Sequence, residues 1–351
     1  MTRACPALLL SLLLLLSRAA ACAREEVELD LPPPSPPAVS APSEQDLTLT
    51  AGERVEEGYP MPGPERRRGE AAVALNATCE ACHKDEADEW RRSRHREANT
   101  NAAYRAAFAV EPSAFCTGCH APEADLANPK ANANVNTNIN TGTNKNKNTK
   151  IPERAVSELG VGCVTCHITE EGVVLAGTAS SAGAAPHPLR RSAEFTKAGA
   201  CAGCHEFRFP GATGDDDGHF MQTTAREHAS SPGADKPCAD CHMPIVSGRR
   251  SHAFTAVRDP AWLRENLRAT ASLSADNRLR VTLTQPDPGH AFPTGDLFRR
   301  LEIGCEMRDA AGKVIQREAR HLARHFDILP GRPGRILTRD DRVFAEPSVV
   351  E

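Results

Sequence analysis

Apolar positions along this chain fall into three regimes. Ala7 to Leu16 form a near-continuous apolar run, preceded by Arg3 and followed by small residues up to Cys22. The run is too short to cross a bilayer and predicts a secretory signal peptide over residues 1–22. The middle of the chain shows only short helical pieces. KDEADEWRRSRH (84–95) and HFMQTTAREHAS (219–230) carry good helix formers without internal glycine or proline, and each predicts a helix. After about residue 270 the period changes to two. Leu279, Val281 and Leu283 alternate with polar residues, as do Leu301, Ile303, Cys305 and Met307. DAAGK (309–313) predicts a turn and VIQREARHLA the returning strand. Four or so strands are expected, against about seven in a β sandwich. Such a sheet either leans on the preceding region or continues beyond residue 351.

Between these pieces lie stretches that cannot bury a core. Residues 23–70, with LPPPSPPAVSAPS and PMPGPERRRG, predict a proline-rich tether. ANPKANANVNTNINTGTNKNKNTK (127–150) predicts an asparagine-rich surface insert, and residues 178–190 another loop. The expected organisation is a signal peptide (1–22), a tether (23–70), a region with the insert (71–268) and a β domain (269–351). The fold class is mostly α and irregular, followed by a small, sandwich-like antiparallel β domain.

Composition changes this picture. Aromatic residues make up 4% of the chain and prolines number 27, so large core side chains are scarce. Charged residues at 25% and a formal net charge of −4 give no reason to expect nucleic acid. Thirteen cysteines indicate that something else fills the interior.

Ten of them fall in one pattern: CEACH (Cys79, Cys82, His83), CTGCH (Cys116, Cys119, His120), CVTCH (Cys163, Cys166, His167), CAGCH (Cys201, Cys204, His205) and CADCH (Cys238, Cys241, His242). Cys-x-x-Cys-His is the attachment signature of c-type heme. Two thiols three positions apart reach the two vinyl groups on one edge of the porphyrin, and the adjacent histidine gives its imidazole to iron. A zinc site would use paired CxxC clusters without an obligatory histidine, and a redox dithiol a single motif near a βαβ unit. Five motifs in an exported chain predict five covalently bound hemes, with His83, His120, His167, His205 and His242 as proximal ligands. The hemes then supply the missing apolar core. Their propionates add about ten negative charges, for which RRSRHR (91–96), PLRR (188–191) and SGRR (247–250) are candidate partners. Cys5 goes with the signal peptide, and Cys305 reads as a small buried residue.

The second axial position of each iron decides between electron carriage and catalysis. Eight histidines lie outside the motifs. Five are candidate distal ligands: His95 beyond Trp90, His187 between prolines, His228, His252 in RRSHAF, and His290 in GHAFPTGDLFRR. His219 shares the predicted helix of Met221 and His228, so at most one of the two histidines reaches a given iron. His321 and His325 read as solvent-facing residues at an element end.

EWRRSRH with FCTGCHAP, GVGCVTCH, CAGCHEFRFP with MQTTAREH, and CADCHMP with SHAF resemble a group of bacterial multiheme cytochromes c. These are relatives of the tetraheme cytochrome c of ammonia oxidation, and the resemblance covers about residues 76–310. It implies that His95 and His252 are distal ligands. GHAFPTGDLFRRLEI resembles the segment of relatives that carry a C-terminal β domain and present its histidine, here His290, to a heme. The fifth motif, the insert and a histidine at 228 depart from the pattern.

The expected function is single-electron transfer along closely packed hemes in a periplasmic or cell-surface chain, exchanging electrons with other cytochromes or a membrane quinol-linked donor. The alternative is a reductase or oxidase of a small nitrogen or sulfur compound at a five-coordinate heme; no CxxCK motif supports it. Ala19-Ala20-Ala21-Cys22 resembles a bacterial lipobox. Cleavage before Cys22 would leave a lipid-modified cysteine and a membrane-attached protein, whereas cleavage at Ala-x-Ala would release a soluble one.

Overall fold

The structure, a computed structural model, describes residues 55–56, 61, 63–124, 153–178, 187–254, 260–276, 278–328 and 335–351. The predicted signal peptide, Cys5, Cys22, most of the tether and the asparagine-rich insert lie outside the described residues. Among the described residues, no helix is long and apolar enough to cross a membrane.

The chain begins with a two-residue strand β1 (Val55–Glu56), then α1 (Glu70–Cys82), α2 (Lys84–Arg91), α3 (Ala102–Val110) and α4 (Ala114–His120). Next come α5 (Glu153–Glu158), α6 (Cys163–His167), β2 (Leu175–Gly177) and β3 (Arg190–Ser192). They are followed by α7 (Gly199–His205), β4 (Glu206–Arg208), β5 (Phe220–Thr223), α8 (Thr224–Ala229) and α9 (Cys238–His242). A hairpin, β6 (Ile245–Val246) and β7 (Arg249–Arg250), then leads to α10 (Pro260–Asn266). The last part is β8 (Arg268–Leu273), β9 (Leu279–Thr284), β10 (Arg300–Arg308), β11 (Val314–Ile328), β12 (Arg335–Asp340) and β13 (Ser348–Val350).

Those six last strands form two three-stranded sheets, ordered β13-β9-β8 and β10-β11-β12. The count exceeds the four strands expected, because β8 and β13 are too short in apolar pattern to announce themselves and exist by pairing with β9. Alternation sets the register. Val281 and Leu283 of β9 point into a cluster with Phe292, Leu322 and Val343, each no more than 6% exposed. This is an ordinary hydrophobic core.

The motif region is built differently. Its largest apolar cluster, Ala72, Trp90, Leu159, Val164 and Ile168, joins α1, α2 and α6. Many of its other fully covered side chains are polar: Asn76, Ser93, Thr117 and Glu123. Glu123 takes two hydrogen bonds from Arg68 at 2.9 and 2.6 Å and one from Thr165 at 2.9 Å. Arg68 also reaches the carbonyl of Val164 at 2.8 Å. Order extends upstream of residue 71: Glu65 N–H to Gly118 and Gly69 N–H to Glu123 fasten residues 65–69 to the second motif and the turn after it, and Arg68 ties them to the third. Buried charge, invisible in proline-rich composition, holds them there.

The helix predicted over 219–230 is also corrected. Residues 220–223 are strand β5 paired with β4, and only 224–229 are helical. Phe220 and Gln222 bury their side chains, and that tertiary packing overrides helix propensity. The two regions meet here. Arg342 bonds Glu227 at 2.8 Å with both side chains almost fully covered. Thr294 donates to Glu227 at 2.8 Å. Arg324 donates to the Phe220 carbonyl at 2.9 Å.

Candidate heme-attachment and ligand sites

Each CxxCH segment is helical up to its second cysteine or its histidine. Residues three and four apart share a helix face, so both thiols and the imidazole project together. The helix then stops, and the next N–H closes back, as from Ala121 to Thr117 at 2.8 Å and from Met243 to Ala239 at 2.9 Å. Flanking sequences differ, yet the local form recurs five times.

Four of the five motif histidines face a second imidazole. His83 faces His187 with ring centres 6.3 Å apart, His205 faces His95 at 6.1 Å, His167 faces His252 at 6.2 Å, and His242 faces His290 at 6.1 Å. Rings in mutual contact would lie closer. A metal–imidazole bond of about 2.0–2.1 Å, with roughly 1.1 Å from nitrogen to ring centre, sets two imidazoles on one metal roughly 6.3 Å apart. The residues therefore fit an iron between each pair.

The ring nitrogens point the same way. His167 Nδ1 lies 2.8 Å from the Leu175 carbonyl and His120 Nδ1 2.7 Å from that of Ala98. For His187, His252 and His290 the carbonyls of Pro188, Arg250 and Ala291 lie at 3.1, 3.1 and 3.0 Å. A carbonyl on Nδ1 fixes the tautomer that leaves Nε2 free for a metal. Burial lowers the pKa of His95 to about 3 and of His205 to about 4, with smaller contributions from neighbouring histidines. It also lowers His120, His167, His252 and His290. These rings are neutral, the ligating form.

Long-range contacts place the second rings. Trp90 donates to the Val161 carbonyl at 2.7 Å, and Val161 N–H returns to the His95 carbonyl at 2.9 Å. Gly160, at φ +64°, makes that approach possible, since a Cβ would lie 2.5 Å from the His95 oxygen. His252 follows the β6–β7 hairpin, and Glu89 on α2 accepts its backbone N–H at 2.7 Å and Arg249 at 2.9 Å. Arg249 holds the Glu89 carboxyl at about 2, helped by the His252 N–H and opposed by burial. His290 lies before a bridge in which Phe292 and Val343 exchange backbone bonds at 2.7 and 2.8 Å.

The thiols cluster between motifs. Cys119 neighbours Cys204 closely enough to shift its titration, as Cys201 neighbours Cys238. Cys163 feels Cys79, and Cys166 lies near Cys201 and Cys204. Cys82 and Cys241 are the exposed motif cysteines.

The second motif differs. Among the described residues, His120 belongs to no ring pair near 6 Å with another histidine. Tyr104 stacks on it at 3.9 Å and 12°, and the buried Tyr104 hydroxyl has no partner. His228 joins no ring pair either; it lies within electrostatic range of Cys238 and His290. His219 leaves the predicted helix for a short turn and pairs with Asp216 at 2.7 Å. His321 and His325 are corrected as well. They lie within β11, half-buried, against Glu302 and Asp341 at 2.9 Å each, because the strand runs well past the predicted end. Several arginines proposed for propionates already bond protein groups: Arg91 with Glu80, Arg94 with Glu97, Arg249 with Glu89 and Arg250 with Asp240. Sequence reasoning missed Glu89, Glu123, Tyr104 and Gly160. Only the glycine carried a local signal, in LGVGCVTCH.

Residues 78–168 match the family model for cytochrome c554 and c-prime. The chain is similar in structure to a penta-heme cytochrome c552 from Thermochromatium tepidum, with a TM-score of 0.53 and 18% sequence identity. The likeness covers 82% of this chain and 87% of that one, and at this identity it speaks to the fold. No curated protein matches the chain.

Proposed function

The family that both likenesses support is that of the multiheme c-type cytochromes, and we propose that this chain is an exported pentaheme electron carrier. The observation that carries the reading is the set of four imidazole pairs at 6.1–6.3 Å. When bound, heme c supplies a reversible one-electron site, and two imidazoles keep its coordination unchanged on oxidation and reduction. The chain's own part is to bring the attachment sites together. Thiol neighbours order the motifs first–third–fourth, with the second and fifth flanking the fourth. The exposed Cys82 and Cys241 put the first and fifth motifs at the surface, where electrons would be exchanged with other cytochromes or a quinol-linked donor. The leader and Cys22 support a periplasmic or lipid-anchored location. The facing pairs His95–His205 and His167–His252 support a heme-cored region 71–268 beside a β domain over 269–351.

One observation favours a second reading. His120 has Tyr104 against it and no facing histidine among the described residues. An open position there would suit reduction or oxidation of a small nitrogen or sulfur compound. Mass spectrometry and spin-state spectra of the ferric protein test both readings. Five heme adducts with only low-spin signals support the carrier and sink the second reading. One full-occupancy high-spin heme that a His120 variant abolishes favours catalysis at the second motif. Fewer than four low-spin hemes would overturn the carrier.

A further inference from the structure

Three of the four distal rings share one device. His187, His252 and His290 each set Nδ1 about a backbone carbonyl one or two residues away, at 3.1, 3.1 and 3.0 Å. Such a bond fixes both the tautomer and the plane of the ring. His95 is held otherwise. Among the described residues its ring makes no hydrogen bond, and it is half-buried. What touches it is Phe254, with ring centres 4.1 Å apart and planes at 85°. Edge-to-face contact of this kind is directional, because the positive ring edge meets the negative face of the other.

Phe254 is an unusual residue to find there. Its φ is +50°, a left-handed conformation that a bulky side chain adopts only when its surroundings impose it. The same ring lies 5.9 Å from His252, again at 85°. It therefore sits between the distal histidine of the fourth motif and that of the third, in the chain that Glu89 fastens at His252. The sequence places it two residues after His252, in SHAF.

We propose that Phe254 is the positioning residue for His95, fixing by ring packing the imidazole plane that carbonyls fix in the other pairs. The inference rests on the reading that His95 and His205 share an iron. Their planes cross at 72°, and the crossing angle of two axial imidazoles governs how far the iron d orbitals are split, hence the anisotropy of the ferric electron-spin signal. The position of Phe254 thus has a readout of its own.

The test is the ferric electron-spin spectrum of the five-heme protein in Phe254→Ala, Phe254→Leu and Phe254→Tyr forms, with His95→Ala marking the signal of the fourth heme. In Phe254→Ala the marked low-spin signal should lose its native position, while the signals removed by His187→Ala and His290→Ala stay unchanged. Phe254→Leu fills much of the space without an aromatic edge and should shift the marked signal too. Phe254→Tyr should restore it. An unshifted signal in Phe254→Ala overturns the proposal. If Phe254→Ala fails to mature, an unshifted signal in Phe254→Leu overturns it equally. Should His95→Ala remove no low-spin signal, the ligand pairing itself falls, a result distinct from a failure of the positioning role.

Discussion

The β region and the motif region solve the problem of an interior in different ways. Beyond residue 268, Val281, Leu283, Phe292, Leu322 and Val343 close a core from alternating strands, and nothing but protein is needed to complete it. Before residue 253 the covered groups include polar side chains such as Asn76, Ser93 and Thr117 and an ion pair, Arg68–Glu123, while the motif cysteines are only half-buried or exposed. Imidazole rings stand about 6 Å apart there, and His167, His187 and His252 have Nδ1 already turned to a carbonyl. The hemes proposed above would complete an interior of that kind. The contrast teaches that sparse aromatic content in a chain need not mean sparse structure.

The sharpest break in the comparison comes from withholding heme. Chain produced without heme attachment should lose protease resistance across residues 71–252, whereas fragments spanning 268–351 persist; limited proteolysis with mass mapping reads the difference. Next in size is the buried ion pair. Glu123→Gln leaves Arg68 facing a neutral amide and should cost about 3–5 kcal/mol in the unfolding of the motif region, measured by denaturant titration of the holoprotein. A comparable effect in the other core is expected from Leu322→Ala, about 2–5 kcal/mol. Because His290 belongs to the β region, that variant should lose the low-spin signal of the fifth heme at the temperature where the strands melt. His290→Ala makes the link local, converting one heme from low- to high-spin with the rest untouched. No change in spin state would refute its pairing with His242.

The smallest effect is one of pH. The Glu89 carboxyl is held at about 2, below its unfolded value. Its contribution is therefore present above the ordinary carboxylate range and lost as pH falls through about 2. In wild type, the His252 low-spin signal should survive at pH 4 and fade near pH 2. In Glu89→Gln the fading should begin at higher pH.

Some of this was legible in order. The CxxCH spacing marked five places where two thiols and an imidazole share one helix face, since that arrangement is local. Alternation at Leu279–Leu283 and Leu301–Met307 gave β9 and β10 because strand faces follow a period of two. The helix expected at 219–223 failed since pairing with β4, whose Arg208 sits opposite Phe220 and Glu206 opposite Thr223, decides its form. Candidate histidines could be named, but His187 is 104 positions from His83, and no spacing rule joins them.

What the amino-acid order determined by itself is therefore chemistry that fits within one or two helical turns: where paired thiols share a helix face, which histidine follows them, where strands alternate. Which ring faces which, that Glu123 is sealed by Arg68, and that Phe254 stands against His95 were decided by tertiary structure. The reason is physical. Imidazole pairs, buried ion pairs and ring contacts gain their energy across long loops, and only the folded chain sets the distances on which they depend.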